Sequence, residues 1–109
     1  MQQPRIYLAG TDGVWSDWRS LAKIKKDICR KYGLEGVFPL DGELDLSGLS
    51  HAEQGLRISL ANEEHMRSCD AIVANMTPFR GPGMDGGTAF EMGFMRALGR
   101  PVLGYTNVA

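Results

Sequence analysis

Several functional classes are excluded by what this chain of 109 residues lacks. It has two cysteines, Cys29 and Cys69, and two histidines, His51 and His65; neither pair has metal-ligand spacing. The cysteines read as buried, reduced thiols, and nothing asks for a disulfide. His65 reads as a helix-surface residue rather than a ligand. With 12 basic and 13 acidic side chains, neither sign dominates. That removes the electrostatic case for nucleic acid, a membrane surface or a polyanionic partner. No apolar run approaches the ~20 residues that span a bilayer. Met1 to Arg5 leads straight into a strand-like run with no secretory leader, so the expected location is the cytoplasm. No G-x-G-x-x-G, Walker, H-E-x-x-H or G-x-S-x-G pattern occurs, and Gly81 to Gly87 lacks the lysine of a phosphate loop. Hydride transfer, phosphoryl transfer and serine hydrolysis are therefore unsupported, and no cofactor or metal is expected.

What is present is an alternation of strand and helix signals. Arg5 to Ala9 reads as a strand stopped by Gly10. Ser16 or Asp17 can cap a helix with apolar positions at Trp18, Leu21, Ala22, Ile28, Cys29 and Tyr32, closed at Gly33. Val37-Phe38 reads as a second strand ended by Pro39. Ser50 and Glu53 match a capping box for a helix reaching about Ser68. Ala71 to Ala74 is a strand without polar interruption, as expected when both faces are covered. Asn75 to Gly83 holds Pro78 and Pro82 and reads as loop. A last helix carries Glu91 and ends near Gly99, and Pro101 to Tyr105 is a fourth strand. The pattern predicts one domain, residues 1–109. Its architecture is α/β, a three-layer, doubly wound parallel sheet of the Rossmann or flavodoxin type with four strands visible. Ligands of such sheets bind where strand order switches, at the carboxyl ends. Gly10 to Trp15, Asp41 to Gly48 and Asn75 to Gly87 gather at that rim.

The candidate chemistry centres on Glu91, alone in the apolar run Ala89 to Met95 and six residues after Asp85. Burying an unpaired carboxylate is unfavourable unless it is solvated or its pKa shifts. Glu91 is a candidate nucleophile, or else a structural glutamate paired with a tyrosine or backbone donor. Asp85 is a candidate acid at a helix start, or only an N-cap. Gly86 and Gly87 allow close backbone approach to a ligand, or form a tight turn. Tyr7 is placed near the end of the first strand, where it orients Glu91 or simply fills the core. Trp15, Phe79 and Met84 sandwich a flat ring or close the core. Arg80 meets a substrate anion or is solvated.

Together these segments resemble nucleoside 2-deoxyribosyltransferases. The resemblance runs through Ile6 to Gly10, Gly33 to Asp41, Ala74 to Pro82, Asp85 to Gly93 and Gly99 to Asn107, almost the whole chain. Its specific parts are the Asp85-to-Glu91 motif and the Pro78-Phe79-Arg80-Gly81-Pro82 loop. The resemblance implies transfer of 2-deoxyribose between purine or pyrimidine bases. Glu91 would form a deoxyribosyl ester, Asp85 would hold the base and move its proton, and Tyr7 would orient the nucleophile. Gly10, Trp15, Asn62, Phe79, Met84 and Gly87 fall at substrate-binding positions, although Asn62 is an amide where some members carry an acid. The partners implied are 2-deoxyribonucleosides and free nucleobases, in a homo-oligomer whose sites a neighbouring subunit completes. Two departures stand out. Thr11-Asp12-Gly13 follows Gly10 where the family has proline. The family's fifth strand and C-terminal helix are missing after Asn107, so the expected chain is C-terminally truncated. Two other readings stay beside the transferase. One is a hydrolase of deoxynucleosides or their 5′-monophosphates; the other is a non-catalytic nucleoside-binding module or inactive fragment.

Overall fold

The structure is a computed structural model, and it describes residues 3–12, 15–42 and 44–108. Seven elements alternate along it: β1 (Arg5–Ala9), α1 (Trp18–Lys31), β2 (Glu35–Val37), α2 (His51–Arg67), β3 (Ala71–Asn75), α3 (Gly86–Ala97) and β4 (Val102–Tyr105). The strands form one parallel sheet in the order β2-β1-β3-β4. The chain first steps from β1 to one side and then returns past it to β3 and β4. With right-handed crossovers this reversal puts α1 on one face and α2 and α3 on the other.

Side-chain alternation along β1 separates the two cores. Ile6 and Leu8 pack with Ala22 and Cys29 of α1 and with Phe38. Tyr7 and Ala9 pack on the opposite face with Val37, Ile72 and Ala74, under Met66 of α2 and Met95 of α3. Tyr7 stands in register with Val37 on one side and Ile72 on the other.

The capping signals form as expected at α2, where the Ser50 hydroxyl accepts from the Glu53 amide at 3.2 Å and donates to the Glu53 carboxylate at 3.0 Å. At α1 the chain turns at Gly33, whose φ of 78° is the left-handed conformation glycine adopts freely. Three expectations need correction. The second strand is Glu35–Val37, not Val37-Phe38, because the Phe38 amide turns away from the ladder and donates to Asp41 Oδ2 at 2.9 Å. Ile28 and Tyr32 are 53% and 72% exposed instead of buried. The inward stripe of α1 is Trp18, Ala22, Lys25 and Cys29, spaced i, i+4, i+7 and i+11, and Ile28 lies off it. His65, read as a surface residue, is half-buried: its Nε2 lies 2.9 Å from the Asp41 carbonyl oxygen and ties α2 to the segment after β2.

Ile72 is fully buried between Tyr7 and Val102. Ile72→Ala is expected to lower the unfolding free energy by about 2–5 kcal/mol, read from the urea midpoint at unchanged slope. A loss below about 1 kcal/mol would contradict this account of the core.

Candidate active site

The sheet changes direction of winding between β1 and β3, so their carboxyl ends form the crevice where a ligand fits. Gly10 ends β1 with φ of 144°. A Cβ on Gly10 would lie 2.8 Å from the Cβ of Asn75 at the end of β3, so only glycine lets the two strand ends meet this closely. Above them is a cavity of about 230 Å³. Gly10 and Thr11 wall it after β1, Phe38 to Leu40 after β2, and Phe79 and Asp85 on the approach to α3.

Glu91 lies below this rim, on the second turn of α3. It opens into a cleft of about 220 Å³ between α2 and α3, with Gly55, Ile58, Ser59, Asn62, Met66, Gly87 and Phe90. The Tyr7 hydroxyl donates to Glu91 Oε2 at 2.6 Å. Burial raises the Glu91 pKa above its ordinary value; the Tyr7 hydrogen bond opposes this, and the nearby Asp85 charge adds to it. Tyr7 is itself buried beside this carboxylate, which holds its hydroxyl protonated far above the usual tyrosine range. The pair is thus a fixed O–H donor aimed at a poorly hydrated carboxylate, the arrangement of a positioned nucleophile or base.

Asp85 is the N-cap of α3. Its Oδ2 accepts from the Thr88 amide at 2.9 Å and from the Thr88 hydroxyl at 3.0 Å. Thr88 is almost fully buried, so this bonded pair fixes the first turn of the helix. Both bonds use one oxygen, and Oδ1 stays outside the cap on a residue that also lines the rim cavity.

The family model for nucleoside 2-deoxyribosyltransferase matches residues 6–109. The chain belongs to that family. Among its relatives is an uncharacterised protein of Schizosaccharomyces pombe, 37% identical over 106 residues, covering 95% of this chain and 50% of that protein. Among solved structures, a 2-deoxyribosyltransferase from Leishmania mexicana superposes with a TM-score of 0.81 at 27% identity, over 96% of this chain and 65% of that one. A conserved protein from Enterococcus faecalis superposes at 0.70 with 28% identity, over 96% and 65%. A 2-deoxyribosyltransferase from Bacillus psychrosaccharolyticus, at 20% identity, shares the fold with a TM-score of 0.71, over 96% and 74%. This chain therefore spans half the length of the yeast protein and about two thirds of the Leishmania one.

Within this deoxyribosyltransferase-family chain, the residues singled out from sequence fall into two groups. Tyr7, Asn62, Gly87 and Glu91 meet at the cleft; Gly10, Phe79 and Asp85 meet at the rim. Trp15, 56% exposed, and the half-buried Met84 line neither space. Arg80 lies over the Phe79 ring, its guanidinium carbon 4.6 Å from the centroid. Tyr7 is mid-strand, not near the strand end, and its hydroxyl reaches Glu91 from beneath the rim. Other lining residues escaped the sequence reading: Thr11 and Phe38 to Leu40 at the rim, and Gly55, Ile58, Ser59, Met66 and Phe90 in the cleft. Ser59 is one turn before Asn62 on α2, and that i, i+3 spacing is the signal that finds it. Among the described residues, no three His, Cys, Asp or Glu side chains are grouped to hold a metal. No helix there is long and apolar enough to cross a membrane.

The raised Glu91 pKa has a stability consequence. From the ordinary value of 4.5 upward, the folded protein keeps a proton that the unfolded chain releases. Stability therefore falls as pH rises from 4.5 through the raised folded value, and above it the fold carries a buried charge. Glu91→Gln keeps an acceptor for Tyr7 and removes that charge. It is expected to raise Tm by about 2–5 °C at pH 7.5, the gain disappearing below pH 4.5. Thermal scans at both pH values check this, and a lower Tm at pH 7.5 would refute it.

Proposed function

We propose that this protein transfers 2-deoxyribose between nucleobases by double displacement. The observation that carries the reading is the buried Tyr7–Glu91 pair, 2.6 Å apart, beside an acid held at the α3 N-terminus. The Glu91 carboxylate attacks the anomeric carbon and the C1′–N bond to the base breaks, through an oxocarbenium-like transition state. Asp85 holds the departing base and supplies its proton, because a nucleobase anion leaves poorly. The incoming base then displaces Glu91 from the deoxyribosyl ester and returns its own proton to Asp85. Two inversions give net retention. The Tyr7 hydroxyl, bonded to Oε2, orients Glu91 and favours its ionised form.

Transfer without hydrolysis needs water kept from the ester. Phe90 lines the Glu91 cleft, and Leu56 and Leu60 follow Gly55 and Ser59 on α2; all three are more than half exposed. An apolar surface here suits a second copy that closes the site, so the proposed state is a homo-oligomer. Cys29 and Cys69 are both free and buried, which agrees with a reducing compartment such as the cytoplasm.

One observation favours nucleosides over their 5′-monophosphates as substrates. A helix N-terminus binds phosphate through free amides. At α3 the Thr88 amide is already bonded to the Asp85 side chain and is not free for a phosphate.

The test is exchange between deoxyinosine and adenine, following deoxyadenosine, hypoxanthine and free deoxyribose. Deoxyadenosine without free sugar is expected, with poor use of deoxyinosine 5′-monophosphate. Free sugar as the main product would mean a hydrolase, and binding without turnover a non-catalytic module. Glu91→Ala is expected to lower exchange by about 10³-fold or more, and retained activity would sink the nucleophile assignment. Tyr7→Phe removes the bond that lowers the Glu91 pKa. Its pH–rate profile should keep its shape with the acidic limb displaced to higher pH. A limb that stays put or moves to lower pH would contradict Tyr7's role.

A further inference from the structure

Lys25 occupies a position on the inward stripe of α1 where Trp18, Ala22 and Cys29 are the other members. Apolar packing would fill such a place most cheaply. Instead its ammonium pairs with the Asp12 carboxylate and donates to the Tyr105 hydroxyl at 2.8 Å. Asp12 is 7% exposed, and among the described ion pairs this is the most buried. The three residues come from the segment after β1, from α1 and from the end of β4. Tyr105 is in turn fixed to the end of β3: it pairs with Asn75 in register, and its carbonyl accepts from the Met76 amide at 2.7 Å.

The residue before Asp12 is Thr11, which with Gly10 forms one wall of the rim cavity. We propose that Asp12, Lys25 and Tyr105 act as a latch that sets this wall, so that Lys25 and Tyr105 are positioning residues for substrate binding. The proposal rests on the rim cavity being part of the substrate site. Withdrawing the ammonium leaves a buried carboxylate without a counter-ion, and the segment after β1 must swing outward to hydrate it. The Gly10–Thr11 wall moves with it. The Tyr7–Glu91 pair is on the opposite face of the sheet, in the other core, and is left intact. The latch therefore governs KM and leaves kcat largely alone.

Two measurements on the full chain decide the matter: KM and kcat for deoxyinosine–adenine exchange, and hydrogen–deuterium exchange at the amides of Gly10, Thr11, Asp12 and Trp15. Lys25→Met is expected to raise KM about tenfold with kcat within about twofold, and to speed amide exchange about tenfold at these positions while β3 is unchanged. Adding Asp12→Asn removes the orphaned charge and is expected to bring both values back to within about threefold of the parent. A purely structural role would give no such rescue. If Lys25→Met fails to fold, Tyr105→Phe keeps the ring and removes one bond, with an expected change of about threefold in the same direction. Unchanged KM and amide protection in a folded variant, or a double variant as impaired as the single one, would overturn the latch. If the parent catalyses no exchange, the transferase reading fails on its own, and the amide data still decide whether the latch exists.

Discussion

A tyrosine hydroxyl and a carboxylate, both withdrawn from water, satisfy each other at the centre of this molecule. Tyr7 has no exposure at all, and it stands in the middle of a strand flanked on both sides. A buried hydroxyl needs a partner, and the parallel ladder has used the backbone groups around it. The partner must come from a helix packed over that face, at the height where Tyr7 ends. Glu91 meets both conditions. The packing of α3 over β3 and β4, through Met95 and Met92, is therefore tied to one polar contact with β1. Were α3 to shift by a turn, the carboxylate would lose its donor and the hydroxyl its acceptor together, each of them inside the core.

That pairing does not cancel the unfavourable burial of Glu91. Desolvation raises its pKa, the hydrogen bond lowers it, and the Asp85 charge raises it again, with the balance upward. A residue chosen only for stability would be neutral there. The fold keeps a carboxylic acid that weakens it above pH 4.5 at the spot where the proposed chemistry needs a nucleophile stripped of water, which is how stability and activity commonly trade.

The architecture was legible because its signals are local. Ser50 with Glu53 starts α2, Gly33 ends α1, and Ala71 to Ala74 has the unbroken apolar pattern of a strand covered on both faces. The Tyr7–Glu91 pairing was legible only as one alternative, since residues 84 positions apart are joined by topology, not by spacing. What could not be read was direction. The apolar positions of α1 fit two neighbouring stripes; the one holding Ile28 faces out, and the one holding Lys25 faces in, because a charged residue at the sheet's rim finds Asp12 and Tyr105 there. His65 misled for the same reason: an exposed-looking helix position is covered by the segment after β2. That Asp85 and Glu91 open into separate spaces was likewise invisible, because the helix turn between them sets the separation.

That separation bears on the two readings of Asp85. Cap and catalytic acid looked like alternatives when only sequence was considered. The geometry makes them compatible, since Oδ2 takes both bonds from Thr88 and Oδ1 is spared. Capping also serves the chemistry. It holds the side chain in one rotamer, so the spared oxygen has a fixed position at the rim, six residues and more than one helical turn before the nucleophile. It also occupies the Thr88 amide at the helix start. In the proposed reaction a base bound at the rim meets that hydrogen-bonding oxygen. The same residue thus starts the helix that delivers Glu91 and, in the proposed reaction, selects what Glu91 meets.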